Sequence, residues 1–163
     1  MLEVHQRLAA DTSIAIDGTV MLDHLQREKG RIKTISSNGE EVRIFLARGN
    51  TLAIGEILRS NCGKHLAVTG AVEPVISAST DDWVQFSKAC YHLGNRHIKI
   101  QVGDRWLRIT PDHVLEDMLK LLGLQTKHEE VVFVPESGAY SQAGGHHHHN
   151  HSDDESHDYD HHH

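Results

Sequence analysis

Hydrophobic and polar positions follow two different rhythms along the chain. Over residues 31–36 the apolar positions are Ile32 and Ile35, and over 41–47 they are Val42, Ile44 and Leu46. These two segments read as strands, and Asn38-Gly39 between them supplies residues that tolerate φ > 0, so they predict a hairpin. Short strands are also expected over 56–59 and 66–68, separated by a turn at Asn61-Cys62-Gly63-Lys64. No helix of useful length is expected before residue 80, so residues 1–71 read as an all-β domain.

After Gly70 the rhythm changes. Residues 72–77 form a strand candidate that Pro74 assigns to a sheet edge. Thr80 or Asp81 then caps a helix with apolar positions Val84, Ala89, Tyr91 and Leu93, stopped by Gly94-Asn95. Strands over 96–102 and 105–109 flank a Gly103-Asp104 loop. Thr110 is read as the cap of a second helix, with Pro111 at its first position, Val114, Leu115, Met118, Leu119 and Leu122 on one face, and Gly123 past its end. A last strand is expected over 131–134. The order β-α-β-β-α-β predicts a ferredoxin-like domain over 72–140, so the fold class is α+β. Two domains this small are near the limit of self-sufficient cores, and burial between chains, hence a homodimer, is expected.

The chain has 163 residues, 38% hydrophobic and 24% charged, within the range of ordinary globular domains, but 16 are histidine. Nine of these are His146, His147, His148, His149, His151, His157, His161, His162 and His163, interleaved with Asn150, Ser152, Asp153, Asp154, Glu155, Ser156, Asp158, Tyr159 and Asp160. With no aliphatic side chain over 144–163, residues 141–163 are expected to be a disordered tail. Neutral imidazole suits Ni(II), Zn(II) and Cu(II), and the interspersed carboxylates add charge and oxygen donors, so the tail reads as a multi-site metal binder. The interleaving argues against an expression tag, although the last three histidines keep that reading open.

Net charge is −7, and the tail carries five acids and no Lys or Arg, leaving 16 bases against 18 acids elsewhere. No basic run exists to bind nucleic acid, and the expected strands over 96–109 lack the aromatic stacking signature of RNA-binding sheets. No signal peptide and no apolar stretch of membrane-spanning length is present, so a cytoplasmic protein is expected. Cys62 and Cys90 lack metal-ligand or disulfide spacing and read as reduced, partly buried thiols. His5, His24, His65 and His128 lack ligand spacing and are expected to be solvated, while His92 is taken as structural. His113, in the first turn of the second helix, is disfavoured as imidazolium by the helix dipole and so keeps a lone pair for a metal.

The segments Lys88-Ala89-Cys90-Tyr91-His92-Leu93-Gly94-Asn95-Arg96-His97, Asp112-His113-Val114-Leu115-Glu116-Asp117-Met118-Leu119 and Pro135-Glu136-Ser137-Gly138-Ala139-Tyr140, followed by a histidine-rich end, closely resemble the UreE family of urease accessory proteins. Gln6-Arg7-Leu8 and Arg48-Gly49 resemble it more weakly. The resemblance implies a nickel metallochaperone, dimeric through its ferredoxin-like domain, with His97 binding metal jointly with its symmetry mate at the dimer interface. Its implied partners are the urease GTPase UreG and the urease activation complex. Some members carry a histidine two residues before the one matching His113; here that position is Pro111, so a peripheral site on His113 lacks its second imidazole. The alternative is a histidine-rich storage or detoxification protein with no dedicated recipient. With no nucleophile motif, HExxH or glycine-rich phosphate loop, an enzyme is not expected.

Overall fold

A computed structural model describes residues 1–138. The chain folds as β1 (Leu2–Leu8), β2 (Gly18–Leu22), α1 (His24–Glu28), β3 (Arg31–Ile35), β4 (Glu41–Phe45), β5 (Ile57–Ser60), β6 (His65–Gly70), β7 (Val72–Ser79), α2 (Trp83–Asn95), β8 (Gln101–Val102), β9 (Trp106–Ile109), α3 (His113–Leu121) and β10 (Gln125–Val132). Its class is α+β.

The first six strands form one mixed sheet in the order β2-β6-β5-β1-β4-β3. The expected hairpin is β3 and β4, paired antiparallel with Ile32 opposite Ile44, and β5 and β6 form the second hairpin. Alternation puts Leu2, Val4, Val20, Leu22, Val42, Ile44, Leu66 and Val68 into one buried cluster. The free edges meet at one end, where the Ser37 N–H donates to Thr19 O and the Thr19 N–H to Ser37 Oγ. Closure of this kind protects edge strands from intermolecular pairing.

The second sheet has the order β10-β7-β9-β8, the ferredoxin-like arrangement. Ile76 and Ala78 of β7 and Leu107 and Ile109 of β9 share a core with Phe86, Ala89 and Leu93 of α2 and Leu115 and Leu119 of α3. Both helices therefore cover one face of the sheet.

Several local expectations are corrected. Strand β7 is internal rather than an edge; only its first half, which contains Pro74, lacks a neighbour on the β9 side, because β9 pairs with residues 76–79 alone. Asp82, not Thr80 or Asp81, caps α2, accepting from the Val84 and Gln85 N–H groups. Val84 and Tyr91 are exposed, and Gly94 and Asn95 lie within the helix. Asp112, not Thr110, caps α3, which leaves Pro111 outside the helix and makes His113 its first residue. The expected strand over 96–102 shrinks to β8, and the turn after it is centred on Asp104 and Arg105, closed by the Gly103 N–H on Trp106 O. The last strand begins at Gln125 rather than 131.

Strands β1 and β2 lie outside the expected elements, and so does helix α1. A capping box starts it, with the Asp23 side chain accepting from the Gln26 N–H and the Gln26 side chain accepting from the Asp23 N–H. It ties the two sheets together. His24, expected to be solvated, is buried, with Nδ1 2.6 Å from Glu73 Oε1 of β7 and its ring edge-on to Phe133. Buried Arg27 donates to Leu22 O and to Phe133 O, and Lys99 Nζ lies 2.6 Å from Glu28 Oε2. A buried guanidinium requires such partners, since an unpaired buried charge costs several kcal/mol.

Candidate metal centre

His97 lies just past α2, and the way that helix ends determines how its ring is presented. The Arg96 cap is followed by two backbone hydrogen bonds, His97 N–H to Gly94 O at 3.0 Å and Ile98 N–H to Leu93 O at 3.1 Å. This pair is a Schellman motif, in which the residue after the cap adopts left-handed backbone geometry. His97 fills that position with φ 57°, one of two non-glycine residues with positive φ among those described. Left-handed geometry costs an ordinary L-residue roughly 1–2 kcal/mol. Buried Leu93 and partly buried Ile98 anchor the turn in the core, so the exposed imidazole is carried on a rigid support.

His92 lies in the last turn of α2, half-buried with its ring edge-on to Tyr91, in keeping with a structural role. His113 is exposed at the first position of α3. Asp112 is not free to complete a site beside it, because its Oδ1 accepts from the Val114 and Leu115 N–H groups at 3.0 Å. The half-buried Cys90 thiol is pushed up by burial, which keeps it protonated and a poor ligand. Cys62 is exposed rather than partly buried, and its hydrogen bond with Ser60 holds its thiol below the usual range. His128 is held by Glu116, 2.9 Å from Nε2 to Oε2. That bond, with lesser help from Thr126 and the neighbouring cations, lowers the Glu116 carboxyl.

Among the described residues no group of three or more His, Cys, Asp and Glu side chains converges to hold a metal ion. His97 and His113 are two exposed donors at separate helix ends, and neither completes a site within the described part of one chain. The tail histidines, His146, His147, His148, His149, His151, His157, His161, His162 and His163, lie outside the described residues. What is described is the segment leading to them: the Val134 N–H donates to Gln101 Oε1 at 3.1 Å and the Glu136 N–H to Ile100 O at 2.7 Å. The chain therefore heads for the tail alongside residues 100–101, three positions from His97.

Comparison with known proteins decides the family. The model of the UreE urease accessory protein C-terminal domain matches residues 73–163, and that of the N-terminal domain matches residues 2–71. The chain belongs to the UreE family. Urease accessory protein UreE of Marinomonas sp. (strain MWYL1) is 60% identical over 147 residues, spanning 90% of this chain and all of the relative. UreE of Alteromonas mediterranea is 49% identical over 81% of this chain and 86% of its own length, and UreE of Psychromonas ingrahamii 45% over 86% and 91%. UreE proteins are accessory factors rather than enzymes. No helix among the described residues is long and apolar enough to cross a membrane.

The sequence had no signal for the left-handed backbone of His97, because Gly94 and Asn95 look like the stop and lie before it. His24 was missed as a buried residue although its signal, the Asp23 and Gln26 capping pair, was present.

Proposed function

We propose that this UreE chain binds Ni(II) and delivers it for assembly of the urease active site, as a cytoplasmic homodimer that hands the metal to the GTPase UreG within the urease activation complex. The observation that carries this reading is His97: an exposed imidazole on a strained, core-anchored turn, in a chain whose described residues supply no second ligand beside it. Strain retained at one exposed residue is characteristic of functional positions. In the proposed site the His97 rings of two chains, brought together through the 72–140 domain, provide two nitrogen donors. Water or tail histidines fill the remaining positions, and exchange takes place there.

The tail adds capacity by tethering donors close to this site. Zn(II) and Cu(II) bind the same donors, since nitrogen sites prefer copper in the divalent series, so nickel selectivity comes from supply and partner docking. His113 is at most an accessory ligand, because Pro111 brings no donor and Asp112 is engaged in capping. No nucleic acid, membrane or catalytic role belongs to this reading.

The test compares nickel titration and urease activation at limiting nickel for His97→Ala and for a chain ending at residue 143. The expected result is that His97→Ala loses the tight site and most of the activation while remaining dimeric, and that the shortened chain loses stoichiometry but keeps the tight site. If the shortened chain proves the more damaged while His97→Ala activates urease normally, storage in the tail replaces delivery from an interface site.

A further inference from the structure

His24 is 7% exposed, and only one of its two ring nitrogens is held. The Glu73 carboxylate accepts from the His24 N–H at 3.1 Å through Oε2 and stands 2.6 Å from Nδ1 through Oε1. A carboxylate acceptor places the ring proton on Nδ1 and leaves Nε2 with its lone pair. Nε2 has no hydrogen bond among the described residues, yet no buried side-chain nitrogen or oxygen among them lacks a partner. Nε2 therefore meets open space. The space that His24 lines is a cleft of about 340 Å³ bounded by α1, residues 51–54 and the segment 134–137.

The walls of this cleft are apolar at Leu52, Ile54 and Pro135 and carry two carboxylates, Glu28 and Glu136. Glu28 is engaged by Lys99. Glu136 is exposed, and its carboxylate has no partner among the described residues, while its N–H is fixed on Ile100 O at 2.7 Å. The cleft thus offers one imidazole lone pair and one unengaged carboxylate, each on anchored backbone. Charge around it favours a cation, since Asp23, Glu28, Glu73 and Glu136 outnumber Arg27 and Lys99. Burial pushes the Arg27 guanidinium down, and Glu73, Asp23 and Glu28 oppose that effect.

The geometry points to a divalent transition-metal site in this cleft, with His24 Nε2 and the Glu136 carboxylate as protein ligands and water in the remaining positions. Metal-binding imidazoles characteristically donate their other N–H to a carboxylate or carbonyl, which fixes the tautomer and raises the basicity of the ring; Glu73 does this for His24. Mixed nitrogen and oxygen donors suit Zn(II), Ni(II) and Cu(II). Two protein ligands are fewer than a structural zinc site uses, so binding here is weak and exchangeable. A bound ion joins α1 to the segment that leaves the second sheet. The site uses neither His97 nor dimerisation, so its failure and the failure of nickel delivery are separately visible.

The experiment titrates the isotope-labelled full chain with Zn(II) alone at about pH 7.5, above the ordinary imidazole pKa, and follows histidine ring nitrogens and backbone amides by NMR. Zinc fills other histidines as well, but each ring reports on itself. The expected result is a shift of His24 Nε2 while Nδ1 keeps its proton, with amide changes at residues 24–28 and 134–137. Glu136→Gln, at an exposed position, raises the zinc concentration at the His24 midpoint at least about tenfold, and Glu73→Gln, which removes the charge behind the ring, raises it about 10–100-fold. His97→Ala leaves the His24 response as it is. A His24 ring that stays unchanged while the other histidines saturate overturns the proposal, as does a Glu136→Gln chain with an unaltered midpoint or a His24 response that disappears with His97→Ala. Glu136→Gln decides the matter if Glu73→Gln loosens the fold.

Discussion

The two helices of the ferredoxin-like half end in the same way with opposite residues. After α2, His97 and Ile98 donate to Gly94 and Leu93; after α3, Gly123 and Leu124 donate to Lys120 and Leu119, at 3.0 Å each. Both turns require positive φ at the residue after the cap, 57° at His97 and 93° at Gly123. In both, the residue that follows packs with the helix core. Glycine adopts this geometry without a Cβ penalty, and α3 uses it. At α2 the chain accepts the penalty, and what it gains is an exposed imidazole. Under the proposed function, residue 97 is kept for its imidazole and residue 123 for stability.

If the two turns are equivalent apart from that residue, their anchors should be equivalent too. Leu93→Ala and Leu119→Ala, both at fully buried positions, should each cost about 2–5 kcal/mol, read by urea denaturation of the metal-free protein. A large cost at one and a negligible cost at the other would show that the motifs bear different loads. Next in size is Gly123→Ala, expected to destabilise by about 1–2 kcal/mol, because the new Cβ meets positive φ and the Gln85 side chain at 2.7 Å. His97→Gly should have the opposite sign, gaining up to about 1 kcal/mol in thermal unfolding while losing the tight nickel site. A loss of stability there would mean that the ring contributes to packing and that functional strain is the wrong explanation.

The smallest effect lies at the opposite ends of the helices. Glu116 stands in the first turn of α3, and α2 has no acid in its first turn. The Glu116 carboxyl is lowered chiefly by its bond with His128. Its stabilising contribution is therefore full above the carboxylate pKa of the unfolded chain, ~4.3, and is lost as pH falls through the lower folded value. Glu116→Gln should melt slightly below the unaltered protein at pH 7 and together with it in strong acid. A gap that persists in acid would assign the effect to packing.

From β3 onward the succession of strands and, apart from exposed Ile35, the faces they bury were legible in the sequence, because alternation reports which side chains turn inward; β1 and β2 were not found. Alternation does not report which backbones pair. Ile98, Ile100 and Val102 all pack against the second core as their alternation requires, yet only residues 101–102 join the ladder, since Ile100 O is taken by the Glu136 N–H. Helix ends were legible only to within a few residues. Asp81 and Asp82 are equivalent by composition, and packing of Phe86, Ala89 and Leu93 selects the second. Of the candidate site, the sequence supplied His97 through family resemblance alone. The turn that strains it arises where Ile98 docks against Leu93, a contact made in three dimensions and invisible to spacing. Helix α1 was hidden for a related reason: at five residues it is too short for periodicity, and only its capping pair marks it.

The bond between Arg27 and Phe133 has a mechanical consequence. Phe133 follows the last strand, and its carbonyl is gripped by a buried guanidinium whose other hydrogen bond is to Leu22 O at the end of β2. Any tension on the C-terminus therefore divides at this joint, part of it running in shear along the eight residue pairs between β10 and β7 and part crossing through α1 into the six-stranded sheet. A partner that pulls on the histidine-rich end would load both halves of the molecule at once, and the Arg27 bond, backed by the His24–Glu73 and Lys99–Glu28 contacts, would set the force at which they first come apart.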